Sequence, residues 1–210
     1  LKYISAGRVA APELAAEQAF DEIIHFARIS KNGLGYAKLA ISETDPNKFE
    51  ELRAKLVKYE EISDRIEYEI ASFLNSVSAG DISETTSIKI KTMYKIISEL
   101  ESLGDSGEAI SRILSRRNVH KKSFSEDTIK NLRTMADMVD TAYSVMIENL
   151  EAAHKGTIKD IMNAYNCEDR INELRNMLRD AEIEEMESGE KTYQASVYYM
   201  DIVNEFERMG

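Results

Sequence analysis

The sequence has no tryptophan, one cysteine, two prolines and nine glycines in 210 residues. The lone thiol, Cys167, excludes an intrachain disulfide and suits a reducing compartment. So little proline and glycine cannot supply the turns of a sandwich, a barrel or an extended linker. No apolar run approaches the roughly 18 residues of a membrane-crossing helix, and Lys2 and Arg8 introduce no apolar stretch of signal-peptide length. Positive charge is scarce as well: 27 Lys and Arg face 38 Asp and Glu, leaving a formal net charge of −11. That field repels phosphate backbones, and no block of five or six cations offsets it, so no nucleic-acid partner is expected. The chain begins at Leu1 and stops at Gly210 inside a helical pattern, so it is expected to be a piece of a longer protein, soluble as this fragment.

What is present is apolar residues at helical spacing. Helix one is expected from Pro12 to Ile41, with a soft spot at Gly33 and Gly35. Asp45-Pro46 reads as the N-cap and first residue of helix two, whose stripe from Leu52 through Leu56, Ile66 and Ile70 to Val77 lasts until Gly80. Asp81 and Glu84 read as a capping box for helix three, which carries Met93, Leu100, Ile110 and Leu114. It ends at Arg116, Arg117, His120, Lys121 and Lys122, read as a solvated run that complements the helix dipole. Ser123 and Glu126 offer a box for helix four, with Leu132, Met135, Val139, Tyr143 and Leu150, which stops at Gly156. Thr157 and Asp160 offer a start for helix five, with Ile161, Tyr165, Ile171, Leu174 and Leu178, and helix six runs from Thr192 to the end. Stripes of this length are buried readily in elongated bundles with short connections. The expectation is an all-α protein of six long helices divided three plus three, residues 1–122 and 123–210.

Carboxylates supply the strongest functional signal. Glu60, Asp64 and Glu67 on helix two, and Glu101, Asp105 and Glu108 on helix three, each stand at i, i+4 and i+7 and so line one helical face. If the two rows meet, their repulsion favours a bound cation or a raised pKa; if they do not, they are a solvated face. Oxygen donors with little histidine point to Mg²⁺, Ca²⁺, Mn²⁺ or iron before a closed zinc site. Gly104 and Gly107 cost helix stability, so their presence beside Asp105 points to close helix approach or to ligand access. A weak repeat places Glu168, Asn172 and Glu207 at comparable positions, with nearly equal separations of 41 residues from Glu60 to Glu101 and 39 from Glu168 to Glu207.

The catalytic alternative is a dimetal bundle built on Glu22-Ile-Ile-His25 and Glu151-Ala-Ala-His154, although the second pair sits at a helix end. Cys167 lies beside Glu168 and Asp169, which disfavour a reactive thiolate. Asn32-Gly33-Leu34-Gly35 lacks the strand and the Lys-Ser/Thr of a phosphate loop. The residues make no independent case for an enzyme.

Ser98-Glu99-Leu100-Glu101-Ser102-Leu103-Gly104-Asp105, continuing through Glu108-Ala109-Ile110, resembles the signature of the PhoU family. Asn204-Glu205-Phe206-Glu207-Arg208-Met209-Gly210 resembles a second copy whose Asp would be the next residue. Tyr59-Glu60 to Asp64 and Cys167-Glu168 to Asn172 are similar to the family's upstream Glu/Asp-x-x-x-Asp rows, with Asn172 in place of a carboxylate. The opening Ala10-Ala11-Pro12-Glu13-Leu14-Ala15 and the long first helix resemble the cytoplasmic domain that follows the membrane helices of bacterial sodium/phosphate cotransporters. The resemblance implies two side-by-side three-helix bundles related by approximate internal symmetry, acting as a regulatory module of phosphate homeostasis at the cytoplasmic side of the inner membrane. Its implied partner is the membrane transport domain of the same polypeptide or a separate phosphate transporter, and a homodimer is an open expectation. It implies metal binding by Glu60, Asp64, Glu101 and Asp105 and, in the second half, by Glu168, Asn172 and Glu207, with iron, zinc, manganese or nickel as candidate ions. The neutral Asn172 leads to the expectation of unequal loading. A free-standing negative regulator of phosphate uptake and a metal-free helical adaptor are the alternatives.

Overall fold

Asp45 shows how local chemistry sets the helix boundaries. Its side chain accepts from the backbone N–H groups of Asn47 and Lys48 at 2.8 and 3.2 Å, and Pro46 occupies the first helical position, where no N–H is needed. The computed structural model describes residues 1–4, 11–157, 160–189 and 192–210; Arg8 and Ala10, used above to read the amino terminus, lie outside them. Within these residues every regular element is helical: α1 (Pro12–Ser42), α2 (Pro46–Ser78), α3 (Glu84–Val119), α4 (Glu126–His154), α5 (Met162–Glu187) and α6 (Tyr193–Met209).

Three expected starts move. The cap of α3 is Ser83, whose hydroxyl accepts from Thr86 N–H at 3.1 Å, in place of Asp81. The cap of α4 is Ser125, bonded to Thr128 N–H at 3.1 Å, in place of Ser123. Thr157 closes α4 by donating its N–H to Ala152 O, with Gly156 at φ 71°, so it does not open α5. Asp160 does act at the α5 start, accepting from Met162 N–H at 3.0 Å. Ile161 and Tyr165, expected in the α5 stripe, are exposed. The anticipated soft spot in α1 is absent: the helix runs through Gly33 and Gly35 without a break, and Gly33 is buried against the ring of Tyr59.

Helices α1, α2 and α3 pack on one another, as do α4, α5 and α6, while α4 also packs on α1 and α6 on α3. One apolar cluster joins Ile23 and Phe26 of α1 to Ile70 and Leu74 of α2 and to Met93 and Ile97 of α3. The second contains Ile41, Leu56 and Ile110 from the first three helices and Leu132, Val139, Ile171 and Phe206 from the last three. All six helices therefore share this second core. The basic run after α3 is only partly solvated, because Arg117 is buried with its guanidinium 4.6 Å from the Phe124 ring centre.

Candidate metal centre

Gly104 sets the site. A Cβ there would lie 2.8 Å from Ser63 Oγ, 2.9 Å from Ser63 Cβ and 3.6 Å from the Cα of Glu60, so α2 and α3 approach more closely than two ordinary side chains allow. Gly107 continues the seam against Leu56 at 3.7 Å. With the axes this close, the residues flanking the seam face each other. Carboxylate oxygens of Glu60, Asp64 and Asp105 all lie within 4.8 Å of one another, and this is the one such group of three among the described residues.

Glu101 and Glu67 complete the acidic patch. The Glu101 pKa is pushed up to about 7, chiefly by burial, then by the charges of Asp105, Glu67 and Asp64, and by a hydrogen bond that its protonated form gives to Asp64. Burial raises the Glu60 pKa, with Asp64, Asp105, Glu108 and Glu61 adding to it. Burial also raises that of Glu67, with help from Asp64 and Asp105. Glu108 is neutralised by Arg112 at 2.8 Å, but Glu60, Asp64, Glu67, Glu101 and Asp105 form no ion pair among the described residues. Such a set is relieved by a proton or by a divalent cation, and an all-oxygen donor set with a partly open face fits the second.

The second half repeats the backbone seam and changes the charge. A Cβ on Gly210, three residues after Glu207 as Gly104 is after Glu101, would run into the side chain of Ile171, which stands three residues after Glu168 as Ser63 does after Glu60. The position equivalent to Glu67, however, is Arg175, whose guanidinium lies 3.7 Å from Glu207. Glu168 is exposed and Asn172 half-buried. The first half thus gathers three carboxylates without a cation, whereas the second has two carboxylates, an amide and a fixed guanidinium. Ser63 and Arg175 carry no chemical signal in the sequence that marks them, and only the helix crossing shows their roles.

The dimetal alternative does not assemble. Glu22 is 1% exposed and accepts the backbone N–H groups of Lys2 at 2.8 Å and Tyr3 at 2.6 Å, and His25 meets the Tyr3 ring edge-on. Glu151 pairs with Arg28. His154 stacks on Phe20 and reaches Glu17 at 3.2 Å and Asp21 at 3.0 Å. Each member of the two Glu-x-x-His motifs is committed to a separate structural contact. Cys167 is free and half-buried.

No family model matches the chain, and no curated protein matches it. Among solved structures it is similar to that of the phosphate transport system regulatory protein PhoU from Streptococcus pneumoniae, with 14% sequence identity, a TM-score of 0.76 and coverage of 95% of this chain and 89% of that one. At this identity the likeness establishes a PhoU-like helical-bundle fold.

Proposed function

We propose that the chain is a regulatory module of phosphate transport whose α2–α3 seam holds a divalent metal. The observation that carries this reading is the convergence of Glu60, Asp64 and Asp105 within 4.8 Å on a fold similar to that of a phosphate transport regulator. Glu101 and Glu67 stand around the same seam and complete the ligand field. When bound, the metal supplies positive charge. The residues hold it with oxygen donors while Gly104 and Ser63 fix the distance between the two helices, so that loading alters the stability and charge of this face. A phosphate-transport protein is the partner that suits this role. The finer reading is the cytoplasmic module of a sodium-dependent phosphate cotransporter, acting on the membrane domain of the same polypeptide. No helix among the described residues is long and apolar enough to cross a membrane, so this reading assigns phosphate movement to the partner. A role as a free-standing regulator uses the same site with a separate transporter.

Labelled-phosphate uptake tests the proposal in cells that lack the coding segment for these 210 residues. Uptake should change on deletion, return with the wild-type segment and stay altered with Glu60→Ala/Asp105→Ala. Unchanged uptake after deletion contradicts the regulatory role, and full rescue by the double variant contradicts the role of the metal.

A further inference from the structure

A cavity of about 630 Å³ opens where the α1–α2 and α3–α4 connections meet. It is lined on α2 by Phe49 and Glu50, ten or more residues before Glu60 and hence roughly 15 Å along the helix from the carboxylate seam. Its lining combines the apolar Ile41, Phe49 and Phe124 with the cations Arg117, Lys121 and Lys122. In a chain of net charge −11 this is a local reversal of sign.

Two carboxylates also line the cavity, and neither pairs with these cations. Glu43 Oε1 accepts the N–H groups of Thr44 at 2.9 Å and Asp45 at 2.8 Å, and Glu50 pairs with Arg53 at 3.1 Å. Arg117, Lys121 and Lys122 form no ion pair among the described residues. Arg117 is 6% exposed, yet its acceptors are neutral: Nε and Nη2 donate to Asn118 Oδ1 at 3.1 and 2.8 Å, and Nη1 makes a long contact with Ile41 O at 3.5 Å. Each guanidinium nitrogen thus has an acceptor and the group lies against the Phe124 ring, but no anion balances its buried charge, which is costly. Burial also pushes the Arg117 pKa down, in keeping with that cost.

The turn after α3 adds a second observation. Lys121 adopts φ 51°, the left-handed conformation that glycine ordinarily supplies at a helix end. Its N–H bonds Asn118 O and that of Lys122 bonds Arg117 O, both at 3.0 Å, which turns the chain around the cavity. Glycine would close this turn without strain; lysine there adds a charge to the lining.

We propose that this cavity binds a phosphomonoester of nucleotide size, with its phosphate on Arg117, Lys121 and Lys122 and its organic body against the accessible apolar lining of Val119 and Phe124. Three cations without carboxylate partners suit a dianion, and the phosphate geometry matches arginine's planar fork. The volume exceeds what inorganic phosphate fills and lies within the roughly 300–1,000 Å³ of small-molecule sites. The inference rests on none of the seam carboxylates, so it stands or falls separately from the metal reading.

The test is a titration of the full chain with AMP, inorganic phosphate and adenosine, followed by calorimetry and by backbone amide NMR. AMP should give saturable shifts centred on residues 41–44 and 117–124 and bind at least about tenfold more tightly than either adenosine or inorganic phosphate. Lys121→Gln/Lys122→Gln should weaken AMP by about tenfold or more, as loss of charge-assisted hydrogen bonds does. These lysines are not core residues, so the variant tests the site even if Arg117→Gln fails to fold. Absence of saturable AMP binding, or AMP binding unchanged in the lysine variant, overturns the proposal. Equal affinity for adenosine removes the role of the cations, and equal affinity for inorganic phosphate removes the role of the organic body; either result also overturns it.

Discussion

Glu101 is held with its pKa near 7, well above the ordinary 4.5, by burial and by Asp105, Glu67 and Asp64. A carboxyl that binds its proton more tightly when folded contributes stability that is full below its ordinary pKa and is lost as pH rises through the folded value. In metal-free protein, the melting temperature of the wild type relative to Glu101→Gln should therefore fall between about pH 5 and about pH 8. Thermal melts of the two proteins across that window check this, and a difference that does not vary with pH would show that Glu101 titrates as an ordinary surface glutamate. A divalent cation needs the ionised carboxylates, so its stabilisation should grow over the same window. At this scale the sequence was partly legible. The rows of Glu60, Asp64, Glu101 and Asp105 are visible in their spacing, because i, i+4 positions share a helical face. That Ser63 sits under Gly104, that Arg175 reaches Glu207, and that Arg117 leaves solvent to lie over Phe124 depends on the neighbouring helix, which spacing within one helix does not encode.

Glycines within the helices divide by what a methyl group would meet. At Gly35 nothing lies within 4 Å, whereas at Gly104 the methyl would meet Ser63, a buried residue whose Cβ is held by the α2 backbone and cannot swing away as a flexible side-chain end could. Gly35→Ala should stabilise the protein by about 0.5–1 kcal/mol through helix propensity alone. Gly104→Ala has the same propensity gain but forces the seam apart. With overpacking costing about 1–3 kcal/mol, the net effect should be a destabilisation of about 1 kcal/mol. Denaturant midpoints separate the two, and a Gly104→Ala protein as stabilised as Gly35→Ala would mean that the seam yields freely. Helix identity was legible throughout, since the apolar stripes persist for several turns and Asp45-Pro46 leaves one choice of start. Starts with two rival caps were not. Asp81 and Ser83 before α3, and Ser123 and Ser125 before α4, each offer a side-chain acceptor near the helix start, and the structure uses the second of each pair. Ile161 and Tyr165 fit the α5 period, but among the described helices α5 packs only on α4 and α6 and leaves them exposed.

Across the whole molecule, two seams of the same backbone design differ in charge: the first is purely acidic, and the second carries a guanidinium that pairs with one of its carboxylates. Near Gly104 the carboxylates of Glu60, Asp64 and Asp105 converge without a cation, while near Gly210 the guanidinium of Arg175 already lies against Glu207. Asn172 announces part of this difference in the sequence; Arg175 completes it only in three dimensions. We propose on this basis that the halves load metal unequally and that residues 1–122 and 123–210 are better regarded as two bundles joined by a common core than as separate domains, since Leu56, Ile110, Leu132 and Phe206 share one apolar cluster. The measurement that bears most directly on this account is elemental analysis of the purified protein, joined to thermal melts before and after metal removal and return. The account predicts metal at about one site, a higher melting temperature on its return that corresponds to about 2–3 kcal/mol of stabilisation at a hundredfold excess over Kd, loss of both in Glu60→Ala/Asp105→Ala, and retention of both in Glu168→Ala/Glu207→Ala. Equal loading of the two seams, or a metal content and melting temperature indifferent to Glu60 and Asp105, would contradict it.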